Sequence, residues 1–350
     1  MKYTYSKLLV SVALCGAVMS GSALAETVSG SQGNGETPRA IPGAGAELSD
    51  RGVAITPPQV DMDEVGRDLN LDPEKIRQSY GTISRSKGGE ESRQPPSEEL
   101  LRSLDGAMNP GADPAFAEQG DRQVFGADDR VQVTDSSQYP FRVFGLLQAE
   151  VPGGKGYSNC SATLIGPRTL LTAAHCLYSH EEGGWMDNFV FAPGLLSMQE
   201  APFGVWDYET AYIFEGYLTN YQGYYGSVVP WDIAVVILQQ PIGDYLGWMG
   251  YGHDPQLGNF HANIIAYPGD KPAGTMWRAT CDVHSQNVQD MYFQYDCDTF
   301  AGTSGGSVYK FDPATQDRIV LGVNVAESPD ANTAVRMNET YFNWVKSLVQ

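Results

Sequence analysis

The chain has 350 residues, 42% hydrophobic and 18% charged, a composition that can bury a sizeable core and excludes a coiled coil or a wholly disordered chain. Lys and Arg total 22 against 42 Asp and Glu, so the net charge is −20. Such a surface repels phosphate backbones and anionic headgroups, which excludes nucleic-acid binding and polybasic attachment to membranes.

The chain opens with Lys2 and Lys7, an apolar stretch from Leu8 to Met19, and Ala23-Leu24-Ala25. This pattern predicts a secretory signal peptide over 1–25, too short to span a bilayer, which needs about 20 apolar residues. The mature protein is expected to be exported, to the periplasm or the medium, with no membrane segment. Cys15 would leave with the signal, and Cys160, Cys176, Cys281 and Cys297 remain as an even set in an oxidising compartment. Two disulfides are the economical reading, and four cysteines allow three connectivities. No CxxC spacing or histidine pair recommends a metal site, so neither metal nor cofactor is expected.

Residues 26–123 are rich in Gly, Pro, Ser and acidic residues, with 18 acidic and 10 basic side chains, a net of −8. They read as a largely irregular propeptide or linker, with helical spacing of apolar residues around 61–79 and 97–108. From Val124 onward, short runs of Val, Ile, Tyr, Phe and Trp alternate with turn clusters such as Pro152-Gly153-Gly154 and Pro268-Gly269-Asp270. Strands over 124–350 predict a large β sandwich or a pair of β barrels, closed by a C-terminal helix near 339–349. The aromatic cluster from Trp206 to Tyr225 reads as strand core and loop packing.

Three segments can carry chemistry. Leu171-Thr172-Ala173-Ala174-His175-Cys176 sets a histidine among small residues at the end of an apolar run. Pro230-Trp231-Asp232-Ile233-Ala234-Val235-Val236 places a carboxylate at the mouth of an apolar strand, where burial is costly unless a donor such as an imidazole N–H meets it. Gly302-Thr303-Ser304-Gly305-Gly306 puts a serine between glycines, where a tight turn exposes the hydroxyl and aims backbone N–H groups at one point. Each segment alone has an ordinary structural explanation. Together, in the order His, Asp, Ser, they supply a base, its orienting acid and a nucleophile.

These blocks, TAAHC, WDIAVV and GTSGGSV, resemble the signatures of trypsin-like serine peptidases. The likeness extends to the bacterial secreted glutamyl endopeptidases through Val124-Phe125-Gly126-Ala127-Asp128-Asp129-Arg130, Tyr139-Pro140-Phe141-Arg142, Tyr267 to Trp277 and Cys297 to Gly305. The resemblance implies an all-β fold of two six-stranded antiparallel barrels with a C-terminal helix, preceded by a signal peptide and a poorly ordered propeptide. It implies a secreted zymogen, expected to be monomeric, whose partners are peptide substrates and its own propeptide. In that reading Ser304 attacks the scissile carbonyl and His175 carries the proton. Asp232 steadies the imidazolium, and the N–H groups of Gly302 and Ser304 hold the oxyanion. Cys160–Cys176 would close the histidine loop. The equal 16-residue spacing of Cys281 and Cys297 suggests a second local pair. Val124 is the expected new N-terminus.

Specificity is less decided by sequence. Thr299 falls where the resembling enzymes place a hydroxyl against a substrate carboxylate, but Asn324 stands where they carry a histidine, which weakens the expectation of cleavage after Glu or Asp. Asp298, six residues before Ser304, has the spacing of the acid with which trypsins recognise Lys or Arg. The competing reading from another class is a non-catalytic binding or adhesion protein of the same fold. A lipase or esterase is disfavoured by the absence of a GxSxG elbow and by the triad order.

Overall fold

The structure, a computed structural model, describes residues 25–33, 44–62, 65, 73–107 and 124–350. The signal-peptide expectation, apart from Ala25, falls outside these residues, as does the segment directly before Val124. In chain order the early elements are β1 (Glu26–Val28), β2 (Gly52–Ala54), α1 (Pro73–Ser79), β3 (Thr82–Ser86), β4 (Glu91–Gln94), α2 (Glu98–Ala107) and β5 (Val131–Gln132). There follow β6 (Phe144–Glu150), β7 (Tyr157–Leu164), β8 (Thr169–Thr172), β9 (Tyr178–Ser179), β10 (Gly184–Trp185), β11 (Asp187–Pro193), β12 (Trp206–Phe214), α3 (Glu215–Thr219) and β13 (Ala234–Leu238). The last third holds α4 (Gly243–Leu246), β14 (Gly250–His253), β15 (Phe260–Ala266), β16 (Trp277–Val283), β17 (Tyr292–Tyr295), β18 (Ser307–Phe311), β19 (Arg318–Glu327), β20 (Asn332–Arg336) and α5 (Glu339–Leu348).

The first barrel runs β6–β7–β8–β13–β12–β11 and closes on itself, because β11 pairs with β12 at one end of the order and with β6 at the other. Closure removes most of the sheet edge, leaving stretches of β12 and β7 with backbone groups that the barrel itself does not pair. β13, the Ala-Val-Val-Ile-Leu of the WDIAVV block, is buried at all five positions. The second barrel runs β16–β15–β18–β19–β20–β17. Among the described pairings no ladder joins β17 to β16. The disulfide Cys281–Cys297 ties that seam, linking β16 to the residue two past β17, while Cys160–Cys176 joins β7 to the histidine loop. The pairing expected from the equal spacings is therefore the one observed. A small cluster including Phe260, Ile264, Phe293, Val308 and Leu321 lies in the second barrel, whereas the main core spans the first barrel, the α5 side and second-barrel residues such as Tyr309, Val323 and Val335. Helix α5 starts at Asn338, whose Oδ1 accepts from the Tyr341 N–H at 2.9 Å. Among the described residues no helix is long and apolar enough to cross a membrane.

The N-terminal segment differs from the expectation of irregular chain. Helices form where helical spacing predicted them, α1 and α2, the latter capped by Ser97 Oγ at 3.1 Å from Leu100 N. Its four short strands were not foreseen. β1 pairs with β14, β2 with β7, and the β3–β4 hairpin lies on β12 over Thr210–Phe214, beyond the stretch of the β12 edge that pairs with β11. α2 packs on α5, with Ser103 Oγ donating to Thr340 Oγ1 at 3.2 Å. These strands are short and largely polar, β4 being exposed throughout, so their order comes from edges offered by the barrels.

Candidate active site

His175 and Asp232 meet on the first barrel, and the turn that carries Ser304 packs against that barrel through Gly305, next to Thr172, and through Ser161. His175 sits on a single helical turn, Ala174–Cys176, that follows β8, and Asp232 stands just before β13, which is paired with β8. That pairing delivers the imidazole to the carboxylate. His175 Nδ1 lies 2.7 Å from Asp232 Oδ2, and the His175 backbone N–H donates to Oδ1 at 2.9 Å. Both side chains are buried, Asp232 completely, and the carboxylate's contacts with donors meet the cost of desolvation. With Nδ1–H directed at the carboxylate, Nε2 is left as the basic nitrogen.

A third donor was not expected from sequence. The Tyr225 hydroxyl donates to Asp232 Oδ2 and stands 3.1 Å from His175 Nδ1. The expectation for Trp206–Tyr225 holds for Trp206 and Tyr217, which are buried, but Tyr225 belongs to the site. No sequence signal marked it, because it reaches Asp232 from a separate helical turn, Tyr225–Ser227, in an aromatic-rich stretch.

Ser304 comes from the second barrel. Its turn is fixed from both sides: Gly305 N–H donates to Asn324 O and Asn324 N–H to Gly306 O, each at 2.9 Å, while Ser161 of β7 donates from N to Ser304 O at 2.8 Å and from Oγ to Gly302 O at 2.9 Å. Gly302 and Gly305 adopt φ of +91° and +79°. A methyl group on Gly305 would sit 2.1 Å from Thr172 Oγ1, so that position has neither the conformation nor the space for a side chain. Ser304 Oγ and His175 Nε2 are both buried without a hydrogen-bond partner, and no bond joins them. The Gly302 N–H donates at 2.7 Å to the carbonyl of Ile55, from the N-terminal segment.

The three residues read as specificity determinants separate into two kinds. Asp298 does not face a vacant pocket: Oδ1 accepts from Phe125 N at 2.7 Å and Oδ2 from Asp129 N at 3.0 Å, so it clamps the segment that begins at Val124. That segment is held again by Arg130, whose guanidinium pairs with Asp128 and Asp270, and the Arg130 hydrogen bonds keep the Asp128 carboxyl well below the usual carboxylate range. Thr299 and Asn324 are buried, and Thr299 Oγ1 and Asn324 Nδ2 have no partner. Tyr295 donates its hydroxyl to Asn324 Oδ1, which fixes the amide with its N–H side unused.

His175 also lies beside the Cys160 and Cys176 sulfurs, all within 4.8 Å, a grouping that could ligate a metal were the sulfurs thiolates. The disulfide between them removes that possibility.

Comparison with known proteins places the site in context. The family model described as Trypsin matches residues 131–345. The chain is 29% identical over 198 residues to a glutamyl endopeptidase of Bacillus licheniformis, covering 56% of this chain and 58% of that protein. It is 26% identical over 232 residues to a glutamyl endopeptidase of Staphylococcus aureus, covering 64% and 63%, and 26% identical to a Bacillus subtilis protein named extracellular metalloprotease, covering 63% and 67%. The chain thus spans about three fifths of the length of the first of these relatives. In fold it is similar to the structure of a Glu endopeptidase in complex with MPD, with a TM-score of 0.55 at 23% identity, covering 64% of this chain and 98% of the other.

Proposed function

The chain belongs to the trypsin family, and from that premise we propose that it is a secreted serine endopeptidase, made as a latent precursor, that cleaves after acidic residues. The observation that carries this reading is the site's pairing: an imidazole oriented by a buried carboxylate, with its free Nε2 and the Ser304 hydroxyl both buried and unpartnered. In this mechanism His175 Nε2 takes the proton as Ser304 Oγ attacks the substrate carbonyl. Asp232, held by the His175 N–H and the Tyr225 hydroxyl, stabilises the imidazolium. Gly302 and Ser304 N–H groups receive the oxyanion. The proton passes to the leaving amine, and a water then resolves the acyl enzyme by the same steps in reverse order.

Preference for Glu or Asp is supported by two donors that lack an acceptor, Thr299 Oγ1 and Asn324 Nδ2. A carboxylate offers up to four lone pairs to such donors, whereas lysine and arginine offer none. Asp298, already engaged by two backbone N–H groups, gives little support to basic specificity. The signal-like N-terminus supports export, and the engaged 124–130 segment supports processing near Val124.

Profiling cleavage sites of the processed protein on a mixed peptide library, with Ser304→Ala as control, tests the reading. Cuts after Glu or Asp that vanish in Ser304→Ala are expected. Cuts after Lys or Arg would overturn the pocket assignment, and no cuts together with no labelling by an active-site serine probe would overturn the peptidase itself in favour of a binding protein.

A further inference from the structure

We propose that residues 49–60 are a built-in inhibitor: they lie through the cleft as an extended strap, with the Ile55 carbonyl seated where a scissile carbonyl would go. The inference rests on reading the cleft as a peptidase site and adds to it the element that closes it.

The strap is pinned on both barrels. At its start, Ser49 exchanges two bonds with the Gln148 side chain of β6, N to Oε1 at 2.6 Å and Nε2 to O at 2.9 Å. Next, β2 pairs parallel with β7, Gly52 to Tyr157 through Ala54 to Asn159, and Ile55 N–H donates to Asn159 O at 2.9 Å. At its far end Glu327, the last residue of β19, donates to Pro58 O at 3.2 Å and accepts from Val60 N–H at 2.9 Å, with Gln59 and Glu327 in parallel register. Between these anchors the chain crosses the Ser304 turn. There Gly302 N–H, the donor a developing oxyanion needs, is occupied by Ile55 O at 2.7 Å. The fit is close: a methyl group on Gly269 would lie 2.4 Å from the Ala54 Cβ, and one on Gly302 3.0 Å from it. Beneath the strap Ser304 is 0% exposed and His175 6%.

Occupation is not the same as presentation as substrate. With the strap in place, Thr299 Oγ1 and Asn324 Nδ2 remain unpartnered. The strap fills the oxyanion position and leaves the acid-recognising donors idle. Pro57 and Pro58 follow on the way to the end of β19, where they fix φ and have no N–H to pair with the enzyme. Tethering to the same chain keeps the local concentration of this segment high until the connection is cut.

The test uses the intact precursor and its processed form, resolved on one gel and treated with a fluorescent fluorophosphonate. The precursor is expected to label at least about 10-fold more slowly, and the double variant Ile55→Pro/Val60→Pro, which removes two strap N–H donors without touching 124–350, to label within about 3-fold of the processed form. As a second measurement that depends on no variant folding, a synthetic peptide of residues 47–62 added to the processed protein should inhibit it and survive uncut. Equal labelling of precursor and processed form, a double variant as slow as the unaltered precursor, or a peptide cut between Ile55 and Thr56 would each overturn the strap while leaving the peptidase standing. No labelling of the processed form would overturn the peptidase, and the strap with it.

Discussion

The two barrels contribute unlike halves to the site. On the first, the carboxylate of Asp232 is bonded on both oxygens and the imidazole is held through Nδ1, so that half is set before any ligand arrives. On the second, Ser304 Oγ, Thr299 Oγ1 and Asn324 Nδ2 are buried with no partner. The scaffolds differ in the same sense, the first barrel closed by a hydrogen-bonded ladder and the second joined across its seam by a disulfide. A buried carboxylate must be satisfied within the fold, since leaving it unpaired is expensive, whereas neutral donors can wait for a substrate at a smaller cost.

The sharpest way to break this contrast is Asp232→Asn, which keeps the shape and destroys the preset half. By analogy with other triads it should lower kcat by about 10⁴-fold, read with a glutamyl peptide substrate, while thermal unfolding moves little beside that loss. Removing the staple of the second barrel comes next. Cys281→Ser/Cys297→Ser should lower stability by about 3 kcal/mol in a denaturant titration, and the damage should fall on the Asp298–Thr299 segment that follows the bridge. An unchanged midpoint would mean the β16–β17 seam holds without it.

Thr299→Val probes the waiting half directly. Deleting a hydroxyl that lacks a partner should leave Tm the same or slightly higher, yet reduce kcat/KM for glutamyl substrates by about 30-fold, since the lost bond exists only with substrate bound. A fall in Tm instead would show that the hydroxyl is satisfied within the fold. The smallest effect is expected from Tyr225→Phe, which takes one of the three donors from Asp232. A drop of about 10-fold in kcat with KM unmoved, and a shifted acid limb of the pH–rate profile, would mark a positioning residue; a change in stability alone would reduce it to packing.

Much of this was legible in the chain because it is local. TAAHC, WDIAVV and GTSGGSV mark the proposed base, acid and nucleophile through short-range patterns, and the glycines at 302 and 305 are required by backbone conformation. The disulfide spacing, the C-terminal helix and the two helices before residue 108 were legible for the same reason. Tyr225 was not, since nothing in its neighbours says that its hydroxyl meets an aspartate seven residues on. Asp298 invited a reading from spacing alone, and its two bonds to Phe125 and Asp129 depend on chain 169 to 173 residues away.

The N-terminal segment marks the limit most clearly. Its composition, polar and rich in Gly and Pro, determined that it could not build a core of its own. Whether it would hang free or be ordered was decided by what the barrels offer: an uncovered stretch of β12, the edge of β7 and the end of β19, each with backbone groups that a short strand can pair. Sequence determined the candidate reacting groups and the strands that carry them, because side-chain chemistry and hydrophobic pattern are written residue by residue. Only the tertiary structure decided which of those groups are already satisfied, which are waiting, and what lies across them, because hydrogen bonds between distant strands exist only once the chain has closed upon itself.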